Sequence, residues 1–159
     1  MKARLAILAL FLLFVHNVSI GQKIEKIIIS RNDNHKIYDD YEHNDSTTIF
    51  YLRIIPKIKP KGTLVIIPAG GDLVEDMMKQ ITLYRLAVDS GLLVIIPSIN
   101  GGSNKLDDQC EFLDTILRQV VEQYHVPFDK FFLGGLSGGG MISLRYAEKA
   151  NHLPFLEPI

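Results

Sequence analysis

The chain has 159 residues, 47% of them hydrophobic, and a formal net charge of −1. That is enough apolar material for one domain with a buried core. Its 17 lysines and arginines are scattered rather than gathered on one stripe, which argues against nucleic acid as a partner, and with Cys110 the sole cysteine an internal disulfide is excluded.

Lys2 and Arg4 precede an unbroken apolar run from Leu5 to Val15, and Ser19-Ile20-Gly21 places small residues three and one positions ahead of Gln22. This is the pattern of a secretory signal peptide over residues 1–21, cut after Gly21, in a protein that is secreted or periplasmic. The run is shorter than the roughly twenty apolar residues a membrane span needs, so no stable span is expected after cleavage.

Ile24 to Ser30 and Thr47 to Ile55 are β-branched and aromatic runs flanked by the turn clusters Asn32-Asp33-Asn34 and His43-Asn44-Asp45, and they read as two antiparallel strands. Thr63 to Ile67 and Leu92 to Ile96 are continuous apolar runs, the signature of strands covered on both faces. Between them Asp72 and Glu75 have capping-box spacing, and Leu73, Met77, Ile81, Tyr84 and Val88 recur at helical intervals until Gly91 supplies a left-handed stop. One helix is predicted there. Met77 and Met78 belong to its packing face.

After the polar stretch Asn100 to Asn104, a second helix carries Leu113, Ile116, Leu117, Val120 and Tyr124 on one face, with Cys110 buried beside it and Asp114 spaced to pair with Arg118. Val126-Pro127-Phe128-Asp129 ends it, and the apolar run Phe131 to Gly134 follows. Strands alternating with helices of this length imply βαβ units with right-handed crossovers and a parallel sheet.

The most informative segment is Gly135-Leu136-Ser137-Gly138-Gly139, a Gly-x-Ser-x-Gly sequence set between that strand and the helix-compatible stretch Met141 to Ala150. A serine hydroxyl must be lifted out of the fold to act as a nucleophile, and a sharp strand-to-helix bend needs residues without Cβ beside it. Gly135 and Gly139 give that room to Ser137. A glycine-rich loop that cradles phosphate fits less well. The chain has no Gly-x-Gly-x-x-Gly and no Gly-Lys-Ser/Thr, and Ala69-Gly70-Gly71 has the wrong spacing for a nucleotide- or flavin-binding turn.

This order of elements resembles the α/β-hydrolase fold: an antiparallel strand pair, then strand, helix, strand, helix, strand, nucleophile bend and helix. Asp129 to Ser137 is similar to the corresponding segment of secreted esterases and acyl-peptidases. The resemblance covers nearly all of residues 22–159 and implies an α/β domain with a mostly parallel sheet, acting on a small-molecule or peptide acyl substrate without a cofactor. It makes Ser137 the nucleophile, the Gly138 amide one oxyanion donor, and an amide of Gly70 or Gly71 the second. The chain departs from the common pattern in placing Ala69 where many relatives have histidine before the glycines.

The resemblance also implies an acid and a histidine after the serine, each following a later strand. Only His152, Glu148 and Glu157 follow it here, none at the spacing expected, while His35, His43 and His125 lie in turns or at a helix end. Residues 22–159 are therefore expected to be the N-terminal part of an incomplete α/β-hydrolase domain, truncated before its sixth strand, with little activity alone and with Phe131 to Gly134 as an uncovered sheet edge. A binding protein that keeps the scaffold without catalysis is the alternative. No grouping of histidine, cysteine and carboxylate has metal-ligand spacing. Oligomeric state is not legible.

Overall fold

The apolar runs predicted as strands form one mixed sheet in the computed structural model, which describes residues 23–29, 49–69, 74–99 and 106–150. β1 (Lys23–Ile28) pairs antiparallel with β2 (Phe50–Ile55), Ile24 lying opposite Ile54. β3 (Gly62–Ile67), β4 (Leu92–Pro97) and β5 (Phe131–Gly135) run parallel to one another, and the strand order is β1-β2-β4-β3-β5. β2 joins the parallel set by pairing antiparallel with β4, Arg53 opposite Ile95. The signal-peptide segment, the turn clusters between β1 and β2, and the Asp72 cap lie outside the described residues.

Successive residues of a strand point to opposite faces, so the unbroken apolar runs of β3 and β4 feed two cores at once. Val65, Ile67, Leu93 and Ile95 pack on one face against α3 (Leu106–Tyr124) and α4 (Gly138–Ala150). Ile66, Val94 and Ile96 pack on the other against α1 (Val74–Gln80) and α2 (Leu83–Asp89). The α3 face has the predicted composition: Leu113, Ile116, Leu117 and Val120 are buried, Cys110 is buried with them, and Arg118 Nε meets Asp114 Oδ2 at 2.6 Å. Each fully buried aliphatic side chain contributes about 1.5–3 kcal/mol.

The single helix predicted from Leu73 to Val88 is two. Ile81 still donates its amide to the Met77 carbonyl at 3.0 Å, but Arg85 donates to Thr82 at 3.0 Å, a three-residue closure that opens a new helix. Two adjacent β-branched residues, Ile81 and Thr82, sit at the break, where their restricted χ1 lowers helix preference. The apolar periodicity hid the break because both pieces turn the same face inward, Val74 and Met77 from one, Tyr84, Ala87 and Val88 from the other. Gly91 ends the second piece as expected, with φ 89° and its amide on the Val88 carbonyl at 2.9 Å.

Candidate active site: the bend between β5 and α4

β5 ends at Gly135 and α4 begins at Gly138, so the chain reverses from strand to helix through Leu136 and Ser137 alone. Ser137 has φ 48° and an exposed position. His125, just past the C-terminus of α3, is the only other non-glycine residue with positive φ among the described residues. Left-handed backbone costs an L-residue about 1–2 kcal/mol, a strain that persists only where surrounding structure holds it.

The glycines show what holds it. A Cβ on Gly135 would collide with the backbone of Gly139 and come within 2.8 Å of the Gly140 nitrogen. A Cβ on Gly139 would collide with the Ile67 carbonyl and sit 2.5 Å from the Pro68 oxygen. The two glycines thus stack three layers of backbone: the end of β5, the first turn of α4, and the exit of β3. Leu136 donates its amide to the Ile67 carbonyl at 3.3 Å, tying the bend to the same exit. The closest neighbours of a Cβ on Gly139 would be the last residues of β3, so this glycine lets α4 seat against that strand.

Within the bend, Gly139 N–H donates to the Leu136 carbonyl at 2.8 Å, and Gly140 and Met141 donate to the Ser137 carbonyl at 2.9 and 3.3 Å. Gly138 is the first residue of α4, and its amide, unlike those of Gly139, Gly140 and Met141, donates to no carbonyl of the bend. The helix dipole adds to the favourable field for a negative charge at this end. The β3 exit is described through Pro68 and Ala69, while Gly70 and Gly71 lie outside the described residues. Ser143, buried one turn further on, donates its hydroxyl to the Gly139 carbonyl at 2.9 Å and so satisfies itself inside the helix.

Among the described residues no histidine stands beside Ser137. His125, the one histidine among the described residues, lies before β5 whereas Ser137 lies after it, and a five-residue strand separates its ends by about 13 Å. His35, His43, His152 and Glu157 fall outside the described residues, and Glu148 on α4 pairs with Arg145 at 3.4 Å. No cluster of three or more metal-ligating side chains occurs among the described residues. No described helix is long and apolar enough to cross a membrane.

α4 is held against α3 by contacts that sequence spacing did not reveal. Tyr146, buried, donates its hydroxyl to Asp114 Oδ1 at 3.1 Å, and the same carboxylate receives Arg118. Burial, and then the Asp114 charge, push the Tyr146 phenol well above its ordinary range. Because ionisation is disfavoured in the folded state, this group's contribution is complete below the unfolded pKa of about 10 and is lost as pH rises beyond it. Tyr146→Phe is expected to cost about 1–2 kcal/mol in urea unfolding at pH 7 and to flatten the decline in stability above pH 10. An unchanged alkaline decline in the variant would assign that loss to other groups.

No protein-family model matches the sequence, and no curated protein matches it. Solved structures do. The chain is similar to FphF, a fluorophosphonate-binding serine hydrolase of Staphylococcus aureus, at 15% identity over 82% of this chain and 53% of that one, with TM-score 0.60. It is similar to a thermostable carboxyl esterase from Bacillus coagulans at 17% identity, over 82% of this chain and 42% of the esterase, with TM-score 0.59. An S-formylglutathione hydrolase from Agrobacterium tumefaciens matches at 13% identity, over 84% and 55% of the two chains, with TM-score 0.56. The fold is that of the α/β-hydrolases, and the chain spans about half the length of these structures.

Proposed function

We propose that the chain is the nucleophile-bearing, N-terminal part of an exported serine hydrolase that cleaves ester or amide bonds of small-molecule or peptide substrates. The observation that carries this reading is the strained, exposed Ser137 at the β5–α4 bend, braced by two glycines against the exit of β3. A strained, exposed serine at the mouth of a helix whose leading Gly138 amide donates to no carbonyl of the bend suits an acyl-transfer nucleophile. Export rests on the charged and apolar pattern of residues 1–21, with cleavage after Gly21.

In this reading Ser137 Oγ attacks the substrate carbonyl carbon while its proton passes to an imidazole, and the C=O bond opens to a tetrahedral oxyanion. The Gly138 amide, with an amide of Gly70 or Gly71, receives the oxyanion. Collapse expels the leaving alcohol or amine with the returned proton and leaves an ester on Ser137, which water hydrolyses by the same route. The imidazole and its orienting carboxylate come from sequence beyond the described residues. No cofactor enters any step.

The lack of a histidine beside Ser137 among the described residues supports a second reading, a binding protein that retains the scaffold without turnover. Fluorophosphonate labelling separates the two. The natural gene product is expected to label, and Ser137→Ala to abolish the label. A product that binds ester ligands reversibly and never labels would establish the second reading.

A further inference from the structure

The loop between β2 and β3, Pro56-Lys57-Ile58-Lys59-Pro60-Lys61, alternates lysine with apolar residues, and no aspartate or glutamate occurs in the sequence between Asp45 and Asp72. Lys57, Ile58, Lys59 and Lys61 are all exposed, Ile58 by 54%. Among the described residues none of the three lysines enters an ion pair, whereas Lys23, Lys26, Lys79 and Lys149 all do. The loop is nonetheless fixed. Pro56 is buried, Lys61 donates its amide to the Gly91 carbonyl at 3.0 Å, and Ile58 Cδ1 lies 3.0 Å from where a Cβ on Gly91 would stand. These contacts carry the loop beneath the start of β4, at the sheet edge opposite Ser137, and the six residues of β3 set the two edges about 17 Å apart. A strand added beside β5 lies three strands from β4, so the exposure of this loop does not depend on it.

We propose that this loop is a peripheral membrane contact, docking on an anionic phospholipid bilayer with its three lysines at the headgroups and Ile58 among the upper acyl carbons. Each lysine brought to an anionic surface tightens binding about fivefold, and an apolar side chain beside them adds burial that headgroup attraction alone does not supply. A soluble polyanion would satisfy the lysines and leave Ile58 in water; a bilayer uses both. The path of the chain agrees. β1 enters the sheet at Lys23, opposite Ile55 at the last residue of β2, and so at the same edge as the loop. Seven residues separate Lys23 from the apolar run that ends at Val15, at most about 28 Å of extended chain. An apolar leader lodged in a bilayer therefore brings the basic loop to that bilayer's surface and leaves the Ser137 edge on the far side, open to substrate. This last step rests on the export reading; the charge and the bare Ile58 do not, and no step rests on the chemistry at Ser137.

The test is co-sedimentation of the mature natural gene product, leader removed, with vesicles of phosphatidylcholine alone or of an equimolar mixture of phosphatidylcholine and phosphatidylglycerol. Binding to the mixed vesicles only is expected, weakening as salt is raised. Changing Lys57, Lys59 and Lys61 together to glutamine should weaken it about a hundredfold, and changing the same three to arginine should preserve it. Ile58→Ser should weaken it about fivefold, the share of an isoleucine side chain still exposed in the free protein. Urea unfolding of each variant confirms that the fold is intact. Equal binding to both kinds of vesicle, no binding to either, or binding that survives the glutamine substitutions overturns the proposal. So does binding of soluble polyphosphate as tight as that of the mixed vesicles with Ile58→Ser without effect, which would make the partner a polyanion in solution. Fluorophosphonate labelling of the same samples reports on Ser137 separately and is expected to be unchanged by every loop variant.

Discussion

Ser137→Ala in the natural gene product is expected to lower ester turnover by about a millionfold, the scale on which removing the nucleophile of a serine hydrolase acts. The substitution deletes one exposed hydroxyl. It leaves the left-handed backbone at φ 48° and every hydrogen bond of the bend in place, since those bonds run through the main chain of Leu136, Ser137 and Ile67. The melting temperature should therefore stay within a few degrees of wild type while kcat collapses. A parallel loss of stability and rate would show that Ser137 serves the fold, and an unchanged rate would remove it from the chemistry. The same logic applies to the 159-residue chain by itself, in which no described histidine reaches Ser137: its turnover is expected to approach that of the alanine variant.

The second large effect is expected at Gly139. A methyl there would drive into the Ile67 carbonyl and the Pro68 oxygen, main-chain atoms at the exit of a central strand that cannot move aside as a side-chain end can. Gly139→Ala should cost about 3 kcal/mol, the upper end of overpacking penalties, and should displace the first turn of α4 from β3. Labelling at Ser137 should fall with it, because the Gly138 amide moves with that turn. Gly140→Ala is the control one residue along. Its Cβ would come no nearer than 3.4 Å to the Gly135 oxygen, and alanine is the better helix former by about 1 kcal/mol. Equal damage from both substitutions, measured by urea unfolding, would mean that the glycines matter only for local backbone freedom.

Much of this architecture could be read before any coordinates. Continuous apolar runs at Thr63–Ile67 and Leu92–Ile96 announced strands buried on both faces because no amphipathic alternative accommodates them. Gly135 and Gly139 around Ser137 announced the bend because strand-to-helix reversal in two residues leaves no room for side chains. What stayed hidden depends on contacts between segments distant in sequence. Nothing local places β4 between β2 and β3, and nothing in the spacing of Ile81 and Thr82 separates one helix from two that share an inward face. The Tyr146–Asp114 bond spans 32 residues and joins two helices whose relative position only the fold decides. The pairing of Gly139 with the end of β3 is hidden from the sequence for the same reason.

In the proposed reading, the Gly138 amide and an amide of Gly70 or Gly71 converge on the negative charge that develops beside Ser137. A crystal structure of the natural gene product after reaction with a fluorophosphonate tests it directly, since the phosphonyl oxygen occupies the oxyanion's place. The expected result is phosphorus bonded to Ser137 Oγ, with that oxygen about 2.7–3.1 Å from the Gly138 nitrogen and from the nitrogen of Gly70 or Gly71. A phosphonyl oxygen turned to solvent, or an adduct on a different residue, would contradict the account.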